Sequence, residues 1–101
     1  MAESERGLTV EDLWHRREEI LRIAALRGAR NLRVFGSVAR GEANADSDVD
    51  FAVEMEIDRS ALDLSELILD LEEILGRSVD VVEIPPSSPF AERIRQEAIA
   101  I

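Results

Sequence analysis

The sequence contains no cysteine, which removes disulfides, thiolate zinc sites and cysteine nucleophiles from consideration. It also lacks lysine, so all 12 basic residues are arginine. A Walker-type phosphate loop needs a Gly-Lys-Ser/Thr that such a chain cannot supply. No apolar run approaches the roughly 18 residues of a membrane span, and none is expected to engage a membrane. The first ten residues, MAESERGLTV, show neither the basic start nor the apolar stretch of a signal peptide. A soluble, cytoplasmic protein is the expectation. Positive charge is scarce as well: 12 basic against 22 acidic side chains leave a net charge of -10. That balance opposes binding to a phosphate backbone, so no direct nucleic-acid partner is expected. Divalent cations or a basic protein suit the surface better. A length of 101 residues gives a single domain, 1–101, without room for a second core.

What is present reads as alternating helices and strands. Apolar residues at Val10, Leu13, Trp14, Ile20, Leu21 and Ala24, with the Arg17 stem, predict one helix over 9–27, capped by Thr9 and stopped at Gly28. Trp14 is expected to fill the core. A short strand, 31–35, ends in Gly36, and a brief helix starts at Ser37. Residues 41–47, GEANADS, form a loop of turn-forming residues. Residues 48–56, DVDFAVEME, alternate cleanly, so Val49, Phe51, Val53 and Met55 face one way and Asp48, Asp50 and Glu54 the other. Ser60 or Asp63 caps a helix to Leu75 stopped by Gly76. A third strand spans 78–84 and ends at Pro85–Pro86. Ser88 then caps a last helix whose Phe90, Ile94, Ala98 and Ile99 face inward. The order α-β-α-β-α-β-α predicts an α/β (α+β) fold, with a small mixed sheet of about three strands packed by helices on one main face. The long helix between the second and third strands suits a parallel crossover; the pairing sense of the first two strands stays open.

The informative stretch is residues 35–54, FGSVARGEANADSDVDFAVE. Asp48 and Asp50 lie two apart in a strand, so both carboxylates leave the same face, with Cα atoms about 7 Å apart. Such a pair repels unless a cation lies between its members, and magnesium takes oxygen ligands of this kind. Asp80, flanked by Val79 and Val81, completes a three-carboxylate site if its strand pairs beside the second. Gly36 lets the backbone approach a phosphate, and Ser37 offers a hydroxyl and an amide at a helix start. Arg40, one turn on, reaches either the triphosphate or the nearby Glu42 and Asp46. Each feature alone has a bland alternative: solvated strand edges carry acid-x-acid pairs, and Gly-Ser is common in turns. Their combination, with ten residues between Ser37 and Asp48, is specific.

Gly36-Ser37, ten residues, Asp48-x-Asp50 and a later Asp80 resemble the signature of the DNA polymerase β-type nucleotidyltransferase superfamily. The resemblance is nearest to its minimal nucleotidyltransferase (MNT) branch and covers about 31–101, including LGRSVDVVEI and PFAERIRQEAIAI. It implies a nucleotidyltransferase fold and an enzyme that moves AMP from ATP to a hydroxyl. It implies further that Gly36 and Ser37 hold the β- and γ-phosphates, with Arg40 as a nucleotide-binding candidate. Asp48 and Asp50 would bind two magnesium ions, and Asp80 the one near the incoming hydroxyl. Members of the branch act as antitoxins that adenylylate a tyrosine of a HEPN-domain ribonuclease toxin, so a HEPN partner is implied; self-association stays open. Phe51 and Ala52 depart mildly from the usual aliphatic residues, and Val49 replaces the commoner isoleucine. No expected acid is missing.

Two other functions compete with this one. Transfer to a small hydroxyl compound such as an aminoglycoside requires an acceptor pocket that a chain this short hardly leaves. An antitoxin acting by binding alone predicts eroded acids, whereas Asp48, Asp50 and Asp80 are intact. His15, the only histidine, reads as a solvated residue and the acidic run 70–73 as a solvated helix face.

Overall fold

In the computed structural model, residues 6–85 and 87–101 are described. The first five residues, part of the segment read for a signal peptide, and Pro86 of the Pro85–Pro86 stop lie outside them. Thr9 opens helix α1 (Val10–His15) by accepting a hydrogen bond from the Asp12 N–H at 3.1 Å, while the Asp12 carboxylate accepts from the Thr9 N–H at 2.9 Å. This is a reciprocal capping box. The single helix expected over 9–27 is broken at Arg16, where φ is -110° and ψ 20°. The Arg16 N–H turns back to the Leu13 carbonyl, three residues away, at 3.0 Å, a tighter closure than the α-helix allows. Its guanidinium is drawn to the Ile74 carbonyl and to Glu19. Helix α2 (Arg17–Leu26) then resumes. Leu13 and Ile20 are fully buried, but Trp14 is 47% exposed, with its indole N–H donating to the Ala100 carbonyl at 3.2 Å. The core position expected for Trp14 is therefore not found.

Strand β1 (Ala29–Phe35) starts two residues earlier than the sequence pattern indicates. Its pairing moves from Arg30 opposite Glu54 to Arg33 opposite Ala52, so one extra residue is accommodated. Asn31 takes a φ of 54° at this bulge, which lets Ala29 join Leu32 and Val34 in the core. Next come α3 (Gly36–Arg40), beginning at Gly36 rather than Ser37, and β2 (Val49–Met55). Ser60 and Asp63 form a second capping box at the start of α4 (Ala61–Leu75), and Gly76 ends it in the left-handed region at φ 66°. Strand β3 (Val79–Glu83) follows, and Ser88 and Pro89 open α5 (Pro89–Glu97).

A fourth strand corrects the expected count of three. Helix α5 stops at Glu97 because Ala98 is already extended, with φ -83° and ψ 152°. β4 (Ile99–Ala100) then pairs antiparallel with Arg33 and Val34. Phe90, expected to face inward, is half exposed. The sheet order is β3-β2-β1-β4. β1 and β2 are antiparallel, and β2 and β3 are parallel across the α4 crossover, as expected for that connection.

The sheet is packed on both faces, not on one. On one side Leu13, Ile20 and Ala24 meet Val34, Phe51, Val53, Val81 and the Leu67–Leu71 stripe of α4. On the other, Ala91 and Ile94 of α5 cover Ala52 and Ile84. This second cluster, with Ala52 two residues from Asp50 on β2, lies on the face from which Asp50 emerges. No helix among the described residues is long and apolar enough to cross a membrane.

Candidate active site

The pairing of β1 with β2 places Phe35 opposite Asp50, so the chain that turns at Gly36 passes beside the Asp50 carboxylate. Gly36 has a φ of 71°, and a Cβ there would fall on Asp50 Oδ2. Conformation and space both demand glycine at this point. Ser37 follows as the second residue of α3, half buried, with its carbonyl accepting from the Glu42 N–H at 2.8 Å.

The loop from 41 to 47 delivers Asp48, which lies just before β2 rather than within it. Asn44 organises this loop. Its side-chain oxygen accepts from the Asp46 N–H at 2.8 Å, and its own N–H donates to Ser47 Oγ at 2.9 Å. Arg77 holds the loop from outside by donating to the Ala45 carbonyl at 3.5 Å and the Arg6 carbonyl at 2.7 Å. Arg6 in turn bridges Asn44 through the backbone. The sequence reading did not single out Arg77, Asn44 or Ser47 as parts of the site. Only the turn composition hinted at the last two, because the partners are main-chain groups.

The parallel register sets Asp50 against Asp80. Asp80 is the second residue of β3 and exposed, and the expected pairing of its strand beside the second is found. Asp48 is exposed and Asp50 half buried. Burial pushes the Asp50 carboxyl above its usual range, and the charges of Asp80 and then Asp48 push it further, against a smaller opposing pull from Arg40. Asp50 thus feels both other carboxylates, and none of the three has a hydrogen-bond or ion-pair partner among the described residues. Arg40 does not lie free for a triphosphate. Its Nε donates to Glu42 Oε1 at 2.9 Å, and its pKa is raised mainly by that bond, with Glu97 and Asp50 adding to it.

This donor set is all oxygen, and the charge that Asp50 meets from Asp80 and Asp48 is only partly offset by Arg40, which fits a hard divalent cation. Among the described residues no group of three or more acidic or histidine side chains is arranged so that it could hold a metal ion as it stands. Carboxylates without a cation have no reason to close on one another, so the fit rests on their chemistry and register. His15 is exposed, as expected. The acidic run of α4 is less free than expected: Asp70 pairs with Arg27 at 2.9 Å, and Glu72 accepts from the Val79 N–H at 3.1 Å.

The profile of the nucleotidyltransferase domain family matches residues 16–101. The chain belongs to this family. Among its relatives is the protein adenylyltransferase MntA of Thermococcus cleftensis, 51% identical over 75 residues, which cover 73% of this chain and 76% of that one. A solved structure classed provisionally as a minimal nucleotidyltransferase superposes with a TM-score of 0.81 at 45% identity, covering 93% of this chain and 97% of the other. The MNT antitoxin in complex with the tri-AMPylated HEPN toxin of Shewanella oneidensis shares the fold, with a TM-score of 0.63 at 18% identity over 86% of this chain and 69% of that one. The nucleotidyltransferase fold expected from the Gly36-Ser37 and Asp48-x-Asp50 pattern is thus established.

Proposed function

We propose that this nucleotidyltransferase transfers AMP from ATP to a tyrosine hydroxyl of a HEPN-domain toxin and so acts as its antitoxin. The observation that carries the proposal is the Asp50–Asp80 register beside Gly36, in a chain similar over most of its length to a protein adenylyltransferase. Asp48, Asp50 and Asp80 would hold two magnesium ions, which when bound supply charge neutralisation at the phosphates and activation of the acceptor hydroxyl. The chain's own part is positioning. Gly36 keeps the space beside Asp50 open, the α3 start at Ser37 presents amide and hydroxyl donors to the β- and γ-phosphates, and the Asn44 turn fixes Asp48. Arg40 would have to leave Glu42 to meet the nucleotide.

A protein acceptor suits this geometry better than a small one. Asp48 and Asp80 are exposed and Asp50 is half buried. Clefts of about 570 Å³ around Trp14 and Arg22, and of about 310 Å³ around Glu72 and Arg77, include none of the three acids. Neither cleft would hold an aminoglycoside-sized acceptor beside the acids, whereas a folded partner brings its own walls. The test is intact mass spectrometry of a HEPN protein encoded beside this chain, after incubation with ATP and magnesium. A gain of one or more AMP units on tyrosine is expected. This chain has no tyrosine, so the label cannot be its own. An unmodified toxin that is nonetheless inhibited would replace transfer by simple occlusion.

A further inference from the structure

We propose that the free edge of β3 is the acceptor's docking strand: the acceptor adds to the sheet as a short, extended, basic segment and so carries its hydroxyl to Asp80. The inference rests on the transferase reading and specifies how that open site takes its substrate. β3 lies at the outside of the sheet. The bonds from the Val49 N–H to the Ser78 carbonyl at 2.9 Å and from the Ile84 N–H to the Val53 carbonyl at 2.8 Å set its phase. Main-chain groups of 78, 80, 82 and 84 therefore face β2, and those of 79, 81 and 83 face outward. The first outward amide, Val79, is taken by Glu72 Oε2. The N–H and C=O groups of Val81 and Glu83 have no partner among the described residues. An edge of this kind accepts an extended strand and little else.

The edge is anchored in the core and carries Asp80. Val79 and Val81 are buried in the main core, which anchors the strand, and Asp80 leaves the opposite face between them. A residue added across from Asp80 projects its side chain to the same face, one strand spacing of about 4.8 Å away. A tyrosine in that register is delivered to the carboxylates, and its two neighbours turn away from them. Charge selects the sequence around it. Glu72, Asp80 and Glu83 border the edge, Asp48 and Asp50 lie behind it, and the chain carries a net charge of -10. Arg77, close by, is already engaged with two carbonyls. Arginine or lysine beside the tyrosine would complete the complementarity. In the step itself the phenolic oxygen bonds to the α-phosphorus and the bond from that phosphorus to the bridging oxygen breaks. Pyrophosphate leaves with the electron pair, and the phenolic proton passes to water.

The test uses the whole chain with ATP, magnesium and the peptide acetyl-Arg-Val-Tyr-Val-Arg-amide. Two twins of the peptide carry backbone N-methyl groups, one on both valines and one on the tyrosine and both arginines. Strand addition predicts that the plain peptide gains AMP, that one twin reacts at least tenfold more slowly, and that the other keeps its rate, because only one phase of amides meets the edge. Hydrogen exchange at the Val81 and Glu83 amides should slow at least tenfold when the plain peptide is added. Equal rates for both twins, or unchanged exchange at Val81 and Glu83, would overturn the proposal. So would protection of those amides without peptide in a sample that sediments as a dimer, since a second copy would then own the edge. A chain that modifies a folded HEPN protein but refuses every peptide loses strand addition and keeps the transferase reading. A chain that transfers AMP to no acceptor loses that reading, and this proposal with it.

Discussion

Without a cation, the ionised carboxylate of Asp50 works against the fold, because it is half buried and faces the charges of Asp80 and Asp48. A carboxyl whose pKa is raised on folding contributes stability below its unfolded value near 4 and loses it as pH rises through the folded value. At neutral pH the metal-free protein therefore carries a penalty at this site. Asp50→Asn should melt a few degrees above wild type in the absence of divalent cations, and magnesium with a non-hydrolysable ATP analogue should stabilise wild type but not the variant. A lower melting temperature for Asp50→Asn would contradict the repulsion. Gly36→Ala addresses the same carboxylate from the other side. The left-handed backbone should cost about 1–2 kcal/mol, and the new Cβ must displace Asp50 Oδ2. Misplacing a reacting group by about 1 Å can reduce turnover about 10²-fold. A loss of that order in transfer is expected from a variant that still folds, as judged by circular dichroism.

Two elements set how firmly these residues are presented. The capping box of α1 depends on Asp12, which the Arg6 guanidinium holds down at a pKa of about 2. Its stabilising contribution is complete above the unfolded value near 4 and is lost as pH falls from there toward 2. Asp12→Ala should cost about 1 kcal/mol in urea unfolding at pH 7, most of it the cap because the ion pair is largely exposed. The difference from wild type should vanish below pH 2. Arg77 acts on the loop that carries Asp48. Arg77→Ala should speed amide exchange over 44–48 and reduce transfer while leaving the melting temperature within a few degrees; unchanged exchange would remove Arg77 from the site. These two elements also show what a sequence can and cannot reveal. Asp48, Asp50, Asp80 and Gly36 are legible because a strand's period of two and a glycine before a helix are residue patterns. Arg77 is not, because its partners are carbonyls that every residue has. Trp14 was misplaced because its stripe assumed an unbroken helix, and Arg16 breaks it. β4 is two residues long, too short for any periodicity to show.

At the scale of the whole molecule, arginine replaces lysine as the cation that ties elements together. Arg27 spans α2 and α4 through Glu66 and Asp70, Arg59 joins Glu56, Asp63 and the Leu26 carbonyl, and Arg95 links α5 to Glu54 of β2. The planar guanidinium serves several acceptors at once, which a single ammonium does less well. The two cores on either side of the sheet supply most of the stability, and Leu71→Ala, at a fully buried position of α4, should cost about 2–5 kcal/mol in urea unfolding. The parallel β2–β3 crossover was legible from helix length alone, but coverage of both sheet faces was not, because α5 is short and buries only Ala91 and Ile94. What this architecture achieves is to bring Asp50 and Asp80 into register on neighbouring strands, with Asp48 just before them.

The central claim is that these acids perform transfer, and Asp80 tests it most directly. Asp48 and Asp50 should serve the triphosphate as well as the acceptor, whereas Asp80, across the register on the edge strand, should serve the acceptor side alone. The measurement is the rate of AMP transfer to the HEPN partner by Asp80→Asn, at ATP concentrations shown by calorimetry to saturate the variant. The account predicts magnesium-dependent ATP binding within a few-fold of wild type and a transfer rate lower by about 10³-fold or more, the signature of a group needed in the transition state and not for nucleotide binding. Near-normal transfer by Asp80→Asn would contradict it.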